Sequence, residues 1–543
     1  MRLVVPLLIA TLALAFAAPV AAGGPTAPVT STLAPEGLGE SFVPGVRLVS
    51  ELPGGYVEEE FILSGAANNY TYAELPVRDE LVLLQTDVPW TTRIIVRRPP
   101  DAAAFNGTVV IEWWNSTAQF DTAPVWDPSA EFFVREGWIY VGVTNSPTSI
   151  GHLVGGCRTF GLLPPTCGTR YAGLSIPEAG VAFEMGSQIA NKLKGNDADR
   201  PIPPGYDVER IYHSGQSQQG GSIITYATAF HFPINDGYFV QAASGARPIN
   251  FLPNCEPSPD NPSPPSYPAC TPRVQGADAL VATDLPVPLV QAMTETDVPR
   301  AAARGSRQPD SENFRYYEMA GVAHTHVHKN VELIPAGFLG GPLAPPLFLE
   351  DACLNPLNTG ADGPVFGKYL QNAMWANLDR QVKQGIAPPS GELIELDAAG
   401  GIARGPLGNA IGGIRLPALE VPIASYTGVN LVDPAVPLFL QSLLGLFCFL
   451  TGSSADFDDV TLATLYQNND DYVSDVHAAA KDLRRDGFLL QTAVNQIVAD
   501  AEAADVMGED GCGSGGGAAL AILPLAWWRS RRAIGRRQRE GRS

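Results

Sequence analysis

The chain has 543 residues, 45% of them apolar and 17% charged, with a formal net charge of −21. That composition is globular, and so acidic a surface repels a phosphate backbone, which excludes a nucleic-acid-binding function. The length exceeds the roughly 250–300 residues at which one core stops growing, so the sequence predicts a main domain with large insertions or an appended subdomain.

The first residues read as a targeting segment. Arg2 is followed by the apolar run Leu3 to Phe16, and the small residues Val20, Ala21 and Ala22 precede Gly23. This is the pattern of a secretory signal peptide over residues 1–22, and the run is too short for a spanning helix. Residues 23–45, rich in Pro, Thr and Ala, read as a flexible lead-in. Tyr56 to Leu63 and Thr92 to Arg98 alternate like antiparallel strands, with Pro99 ending the second.

The texture then changes. Val109 to Trp113 and Trp138 to Val143 are compact β-branched and aromatic runs, as expected for strands covered on both faces. Ala130 to Glu136 reads as a short helix. Pro177 to Lys194 reads as a longer one, since Val181, Met185, Ile189 and Leu193 share a face. Val208 to His213 is a strand entering a Gly-rich turn, and Ser222 to Phe230 is a helix. Strands follow at Gly237 to Ala242, Val287 to Met293 and Phe314 to Met319. Alternating strands and helices predict an α/β fold with a mostly parallel sheet. The core is therefore assigned to residues 46–330, and residues 331–505 to a lid and C-terminal extension of the same domain. Within that extension, Phe366 to Gln384 reads as a helix and Glu392 to Leu396 as a short strand. Leu416 to Ile423 reads as extended at best, because Pro417 and Pro422 confine it to a sheet edge. Ala455 to Ala504 reads as at least two helices.

Residues 506–543 form a distinct tail. Glycines surround Cys512, the uncharged run Ala518 to Trp528 follows, and then come Arg529, Arg531, Arg532, Arg536, Arg537 and Arg539. The run is shorter than a bilayer requires, and the arginines fit the cytoplasmic side. The tail resembles the C-terminal sorting signals of bacterial surface proteins, including the myxobacterial type. That resemblance implies processing at Cys512 by a sorting protease, cell-surface display, and membrane contact through the tail alone. Of the seven cysteines, Cys157 with Cys167, Cys255 with Cys270, and Cys353 with Cys448 are disulfide candidates for an oxidising compartment. Sequence alone leaves their connectivity open.

The chemistry centres on Gly215-Gln216-Ser217-Gln218-Gln219-Gly220, between a predicted strand and a predicted helix. A nucleophile elbow places its serine on such a turn, although the usual G-x-S-x-G has glycine where this chain has Gln219. A serine hydroxyl needs a base held by an acid, in the chain order Ser, Asp or Glu, His. Glu295 and Asp297 follow one strand and His324 follows the next. Asp297 is the first choice of acid and Glu295 the alternative. The backbone N–H of Gln218 is one expected oxyanion donor, and the other is placed around Asn115 or Ser116. His324, His326 and His328 alternate, a spacing that suits zinc on an extended segment. No matching Cys, Asp or Glu ligand accompanies them, so neither metal nor cofactor is expected. His152, His213, His231 and His477 are read as structural.

An ordered series of segments carries a family resemblance. It comprises Gly55 to Phe61, Val109 to Asn115, Ser214 to Gln218, Thr294 to Asp297, Arg307 to Asp310, Ala320 to His324 and Gly413 to Ala418. Across Val46 to Gly428 the chain resembles the bacterial alpha/beta hydrolase domain family. The resemblance implies an α/β-hydrolase core and ester hydrolysis, and no particular substrate. The Pro-rich loop Asn254 to Pro272, the segment Leu431 to Phe457 and the tail depart from it. The expectation is an exported serine esterase acting on a small-molecule or polymer ester. The alternatives are a catalytically silent surface binding protein of the same fold, and a hydrolase using the three spaced histidines with a metal.

Overall fold

The computed structural model describes residues 28–506, apart from 46, 73–80, 159–165, 231, 251–279, 282–283, 301–304, 326–331, 335–346 and 358–366. The expected signal peptide, the tail with Cys512, the pair Cys255 and Cys270, and His231, His326 and His328 therefore lie outside the described residues.

Nine strands form one sheet. In chain order they are β1 (Thr30–Leu33), β2 (Val57–Tyr72), β3 (Leu81–Arg98), β4 (Thr108–Trp113), β5 (Ile139–Val143), β6 (Arg210–Gln216), β7 (Gly237–Gln241), β8 (Leu289–Thr294) and β9 (Phe314–Met319). Their spatial order is β1-β2-β3-β5-β4-β6-β7-β8-β9. The first four in this order pair antiparallel, and the rest, from β5 onward, run parallel. This is the expected α/β-hydrolase class, with its antiparallel N-terminal strands. Two extents differ from the sequence reading. β2 and β3 form a hairpin 16 and 18 residues long; outer β3 runs as an apolar block, Leu81 to Leu84, followed by the polar Gln85, Thr86 and Asp87, and so lacks the period of two that marks a strand. The supposed lead-in contains β1, which pairs along Ser64 to Phe61 of β2.

Helices cover both faces. They are α1 (Trp126–Arg135), α2 (Pro147–Val154), α3 (Val181–Lys194), α4 (Gln218–Thr225), α5 (Leu349–Ala352), α6 (Lys368–Gln384), α7 (Pro417–Glu420), α8 (Leu438–Thr451), α9 (Asp459–Leu465), α10 (Asn469–Arg485) and α11 (Gln491–Ala503). Alternation along the central strands sends neighbouring side chains to opposite layers. On one face Trp113 meets Phe183 of α3 at 5.7 Å and Tyr226, just after α4, at 5.2 Å. On the other, Phe239 meets Trp375 of α6 at 4.4 Å, and Phe133 of α1 meets the same indole at 5.5 Å. Fully burying one such ring contributes about 1.5–3 kcal/mol, so these contacts hold the helices against β4 and β7.

The extension differs from expectation in detail. Pro417 opens α7 rather than holding an extended edge, since its missing N–H and fixed φ suit a first helical turn. Glu392 to Leu396 makes isolated bridges, Ile394 with Gly412 and Leu396 with Ile402, instead of a full strand. Three helices, α9 to α11, occupy the stretch read as at least two. Ile414 donates to the Glu318 carbonyl at 2.8 Å and accepts from Ala320 at 3.1 Å, so the extension meets the edge strand β9 at one parallel bridge. Disulfides join Cys157 to Cys167 and Cys353 to Cys448. Among the described residues no helix is long and apolar enough to cross a membrane.

His213 of β6 is fully buried, with the Trp113 ring at 6.0 Å and the Tyr226 ring at 5.1 Å. Burial lowers its pKa to about 3, so the folded state holds it neutral while the unfolded chain protonates below about 6.5. The unfolded state then binds more protons at acid pH, and stability falls as pH drops, by about 1.4 kcal/mol per unit below 6.5. His213→Phe is expected to flatten that acid dependence, measured as Tm between pH 7 and 5.

Candidate active site

The parallel register brings the carboxyl ends of the central strands level. Trp113 of β4 lies opposite Gly215 of β6, Gln216 opposite Gln241 of β7, and Thr294 of β8 opposite Met319 of β9. Open α/β sheets place their sites at this edge. Each candidate side chain lies on a turn leaving one of these ends.

Ser217 sits between β6 and α4 with φ 54° and ψ −115°. A non-glycine residue in such a conformation costs about 1–3 kcal/mol, so the surroundings must hold it. Its N–H donates to the Gln241 carbonyl at 2.8 Å, and its carbonyl accepts from Gly221 at 3.0 Å. Crowding falls on the glycines. A Cβ on Gly215 would lie 2.7 Å from the Gln219 backbone, and one on Gly220 would lie 2.7 Å from the Ala243 Cβ and 3.0 Å from the Gln241 carbonyl. Gly220 thus does the close packing against β7. Gln219 has room for its side chain, which accepts from the Asn145 amide at 3.2 Å beyond the end of β5. The departure from G-x-S-x-G therefore leaves the elbow intact. Ser217 is partly exposed, and the α4 amide dipoles point toward it.

His324 follows β9 and is 8% exposed. Its Nδ1 lies 2.9 Å from Asp297 Oδ1 and 3.0 Å from Oδ2. Asp297 also accepts from the Thr294 hydroxyl at 2.6 Å and has Arg300 at 3.7 Å. The backbone N–H of His324 donates to Thr296 Oγ1 at 2.9 Å. The link to the elbow is Gln216, whose side-chain amide donates to the His324 carbonyl at 2.8 Å. Glu295 takes a different part. Its carboxylate faces Arg404 at 2.6 Å and accepts from the amides of Gly321 and Gly428. Of the two acids considered from sequence, Asp297 is the one in contact with the imidazole.

The loop after β4 lies beside the elbow. The Asn115 N–H donates to the Thr122 carbonyl at 3.1 Å, and its side chain donates to the Gln216 carbonyl at 3.0 Å. Asn115 thus braces the elbow with its donors already engaged. Ser116, buried, donates through its hydroxyl to Gln218 Oε1 at 3.0 Å, which sets its backbone next to the start of α4. Behind the loop, the Glu112 carboxyl accepts from Val125 and Trp126 amides at 3.0 Å and from the Tyr140 hydroxyl at 2.6 Å. Burial raises its pKa to about 8, against the lowering effect of those hydrogen bonds. Arg93, wholly buried, pairs with Asp121 at 3.1 Å and Glu60 at 2.9 Å and so pins the far end of the loop.

His152 sits partly buried against the Phe42 ring at 4.9 Å, and His477 lies on exposed α10 surface. Among the described residues no group of three or more His, Cys, Asp and Glu side chains is gathered as for a metal. Gln216, Thr296 and Asn145 hold the site together; the first two lie within segments singled out from the sequence but were given no role there, and Asn145 lies in none.

No curated protein matches the chain. Solved structures to which the chain is similar include a glucuronoyl esterase from Solibacter usitatus, at 11% identity and TM-score 0.25, covering 52% of this chain and 83% of that one. Another is Est1E from Butyrivibrio proteoclasticus with bound ferulic acid, at 13% identity and TM-score 0.26, covering 43% and 88%. The esterase Pf2001 of Pyrococcus furiosus matches at 12% identity and TM-score 0.25, covering 52% and 88%. The model of the alpha/beta hydrolase domain family matches residues 17–499, and the chain belongs to that family.

Proposed function

We propose that the protein is a serine hydrolase of carboxylic esters, with Ser217 as nucleophile, His324 as general base and Asp297 as the acid that orients it. The observation that carries this reading is the bond from His324 Nδ1 to Asp297, on a turn tied to the elbow through Gln216. With Nδ1–H held by the carboxylate, Nε2 is left as the basic nitrogen. His324 takes the Ser217 proton as Oγ attacks the ester carbonyl. The developing oxyanion accepts from the Gln218 amide and from the backbone of Ser116. The alcohol leaves with the proton from His324, and water, activated by the same imidazole, releases the acid from the acyl-serine. These steps use no metal or cofactor. An oxidising compartment suits the two disulfides, so the protein is read as exported, and the tail as a sorting element processed near Cys512. The extension is read as a lid, and among its described residues Leu450 accepts at its carbonyl from Thr325, next to the base, at 2.9 Å.

A fluorophosphonate probe tests the reading. It is expected to label one residue per chain, mapped to Ser217 by peptide mass spectrometry, with or without chelator. A folded protein that stays unlabelled favours the silent binding protein. Labelling abolished by chelator favours a metal-dependent site.

A further inference from the structure

Glu295 is 2% exposed and lies on the same turn as Asp297, yet all its described contacts are with other partners. Oε2 accepts from the Gly321 amide at 2.6 Å, on the turn that leads to His324. Oε1 accepts from the Gly428 amide at 3.1 Å and from Arg404 Nη2 at 2.6 Å. The Glu295 amide donates to the Val322 carbonyl at 2.9 Å. Thr296, between the two acids, donates its hydroxyl to the Gly428 carbonyl and accepts from the His324 amide at 2.9 Å. Arg404 is held in turn by the carbonyls of Gly408 at 3.0 Å and Tyr426 at 3.3 Å.

These contacts join four stretches that are separate in sequence: the acid turn, the base turn and two parts of the extension, around Arg404 and around Gly428. We infer that Glu295 and Arg404 are positioning residues for the reaction proposed above, on which this inference rests. Together they lock the acid turn against the base turn. The physical case has two parts. A buried carboxylate is tolerated when paired and hydrogen-bonded, and Arg404, reaching in from a partly exposed position, supplies that pairing charge. Gly428 also leaves no slack: a Cβ there would lie 2.6 Å from the Thr296 amide nitrogen and 3.0 Å from the Glu295 carbonyl carbon. With Arg404 lost, Glu295 is left buried and unpaired, and the turn that carries Asp297 shifts to hydrate it. A displacement of about 1 Å in a catalytic group is worth about 100-fold in rate.

The test uses the full chain with a chromogenic acetate ester and the fluorophosphonate. Arg404→Ala is expected to lower kcat by about 100-fold with KM within about twofold, and to slow phosphonylation of Ser217 by a similar factor. Millimolar guanidinium ion is expected to restore part of the loss, and Arg404→Lys to retain an intermediate rate. A role in stability alone would lower Tm without moving kcat in the folded fraction, and without rescue. Folded Arg404→Ala with wild-type kcat, or a loss that neither guanidinium nor lysine relieves, overturns the latch. Should Arg404→Ala fail to fold, Gly428→Ala decides: reduced kcat at constant KM supports the latch, and unchanged kcat overturns it. Failure of the underlying reading looks different, because wild-type protein would then be inert to both ester and probe.

Discussion

Ser217→Ala is expected to lower kcat on short chromogenic esters by about 10⁵- to 10⁶-fold, the scale at which loss of a triad nucleophile leaves only binding and oxyanion stabilisation. The change removes one oxygen and keeps the Cβ, so the elbow at φ 54° is held by the same bonds to Gln241 and Gly221. Stability should therefore shift by no more than about 0.5 kcal/mol, and Tm measured alongside separates lost chemistry from lost fold. A graded series from acetate to long acyl esters would also report the size of the acyl pocket. Hydrolysis by the variant at the wild-type rate would remove Ser217 from the mechanism.

Asp297→Asn is expected to cost about 10⁴-fold in kcat with little change in KM. The carboxylate accepts from His324 Nδ1 at 2.9 Å. An amide in its place can present N–H to the ring, which favours the tautomer with its proton on Nε2, facing the serine. Thr294 and Arg300 stay as neighbours of the substituted side chain, so the turn itself should persist. Glu295→Gln is expected to cost less, since Glu295 acts through Arg404, Gly321 and Gly428 and does not touch the imidazole. The order of the two losses, measured as kcat on one ester, checks which carboxylate orients the base. A larger loss from Glu295→Gln would reverse the assignment of the two acids.

Much of the fold was legible because the central strands are buried on both faces and carry continuous apolar runs. Phe314 to Met319 has the same bounds in sequence and structure. The edge of the sheet was harder to read. Outer β3 is an apolar block, Leu81 to Leu84, followed by the polar Gln85 to Asp87, with no period of two, and the pairing partner of β1 lies some thirty residues away. Pro417 misled because proline breaks a strand and also starts a helix, and only the chain around it decides which.

At the site, the sequence order of Ser217, Asp297 and His324 was legible, and the structure places Asp297 beside the His324 ring and Ser217 on the turn after β6. Between Glu295 and Asp297 the sequence supported only an order of preference, with Asp297 first, and Asp297 is the one beside the His324 ring. Two residues apart on one turn, they are told apart in the structure by their partners, His324 for Asp297 and, more than a hundred positions later, Arg404 for Glu295. The same holds for Gly220, whose role at the elbow depends on the approach of Ala243 rather than on its place in a pattern.

The most direct test of the account is the double variant Ser217→Ala with His324→Ala, compared with each single variant on the same ester under the same conditions. If hydroxyl and imidazole act as one unit, the double variant should be about as slow as Ser217→Ala alone, because groups that work together are grossly non-additive. Losses that multiply, with the double variant slower by the product of the two single effects, would contradict the claim that His324 acts through Ser217.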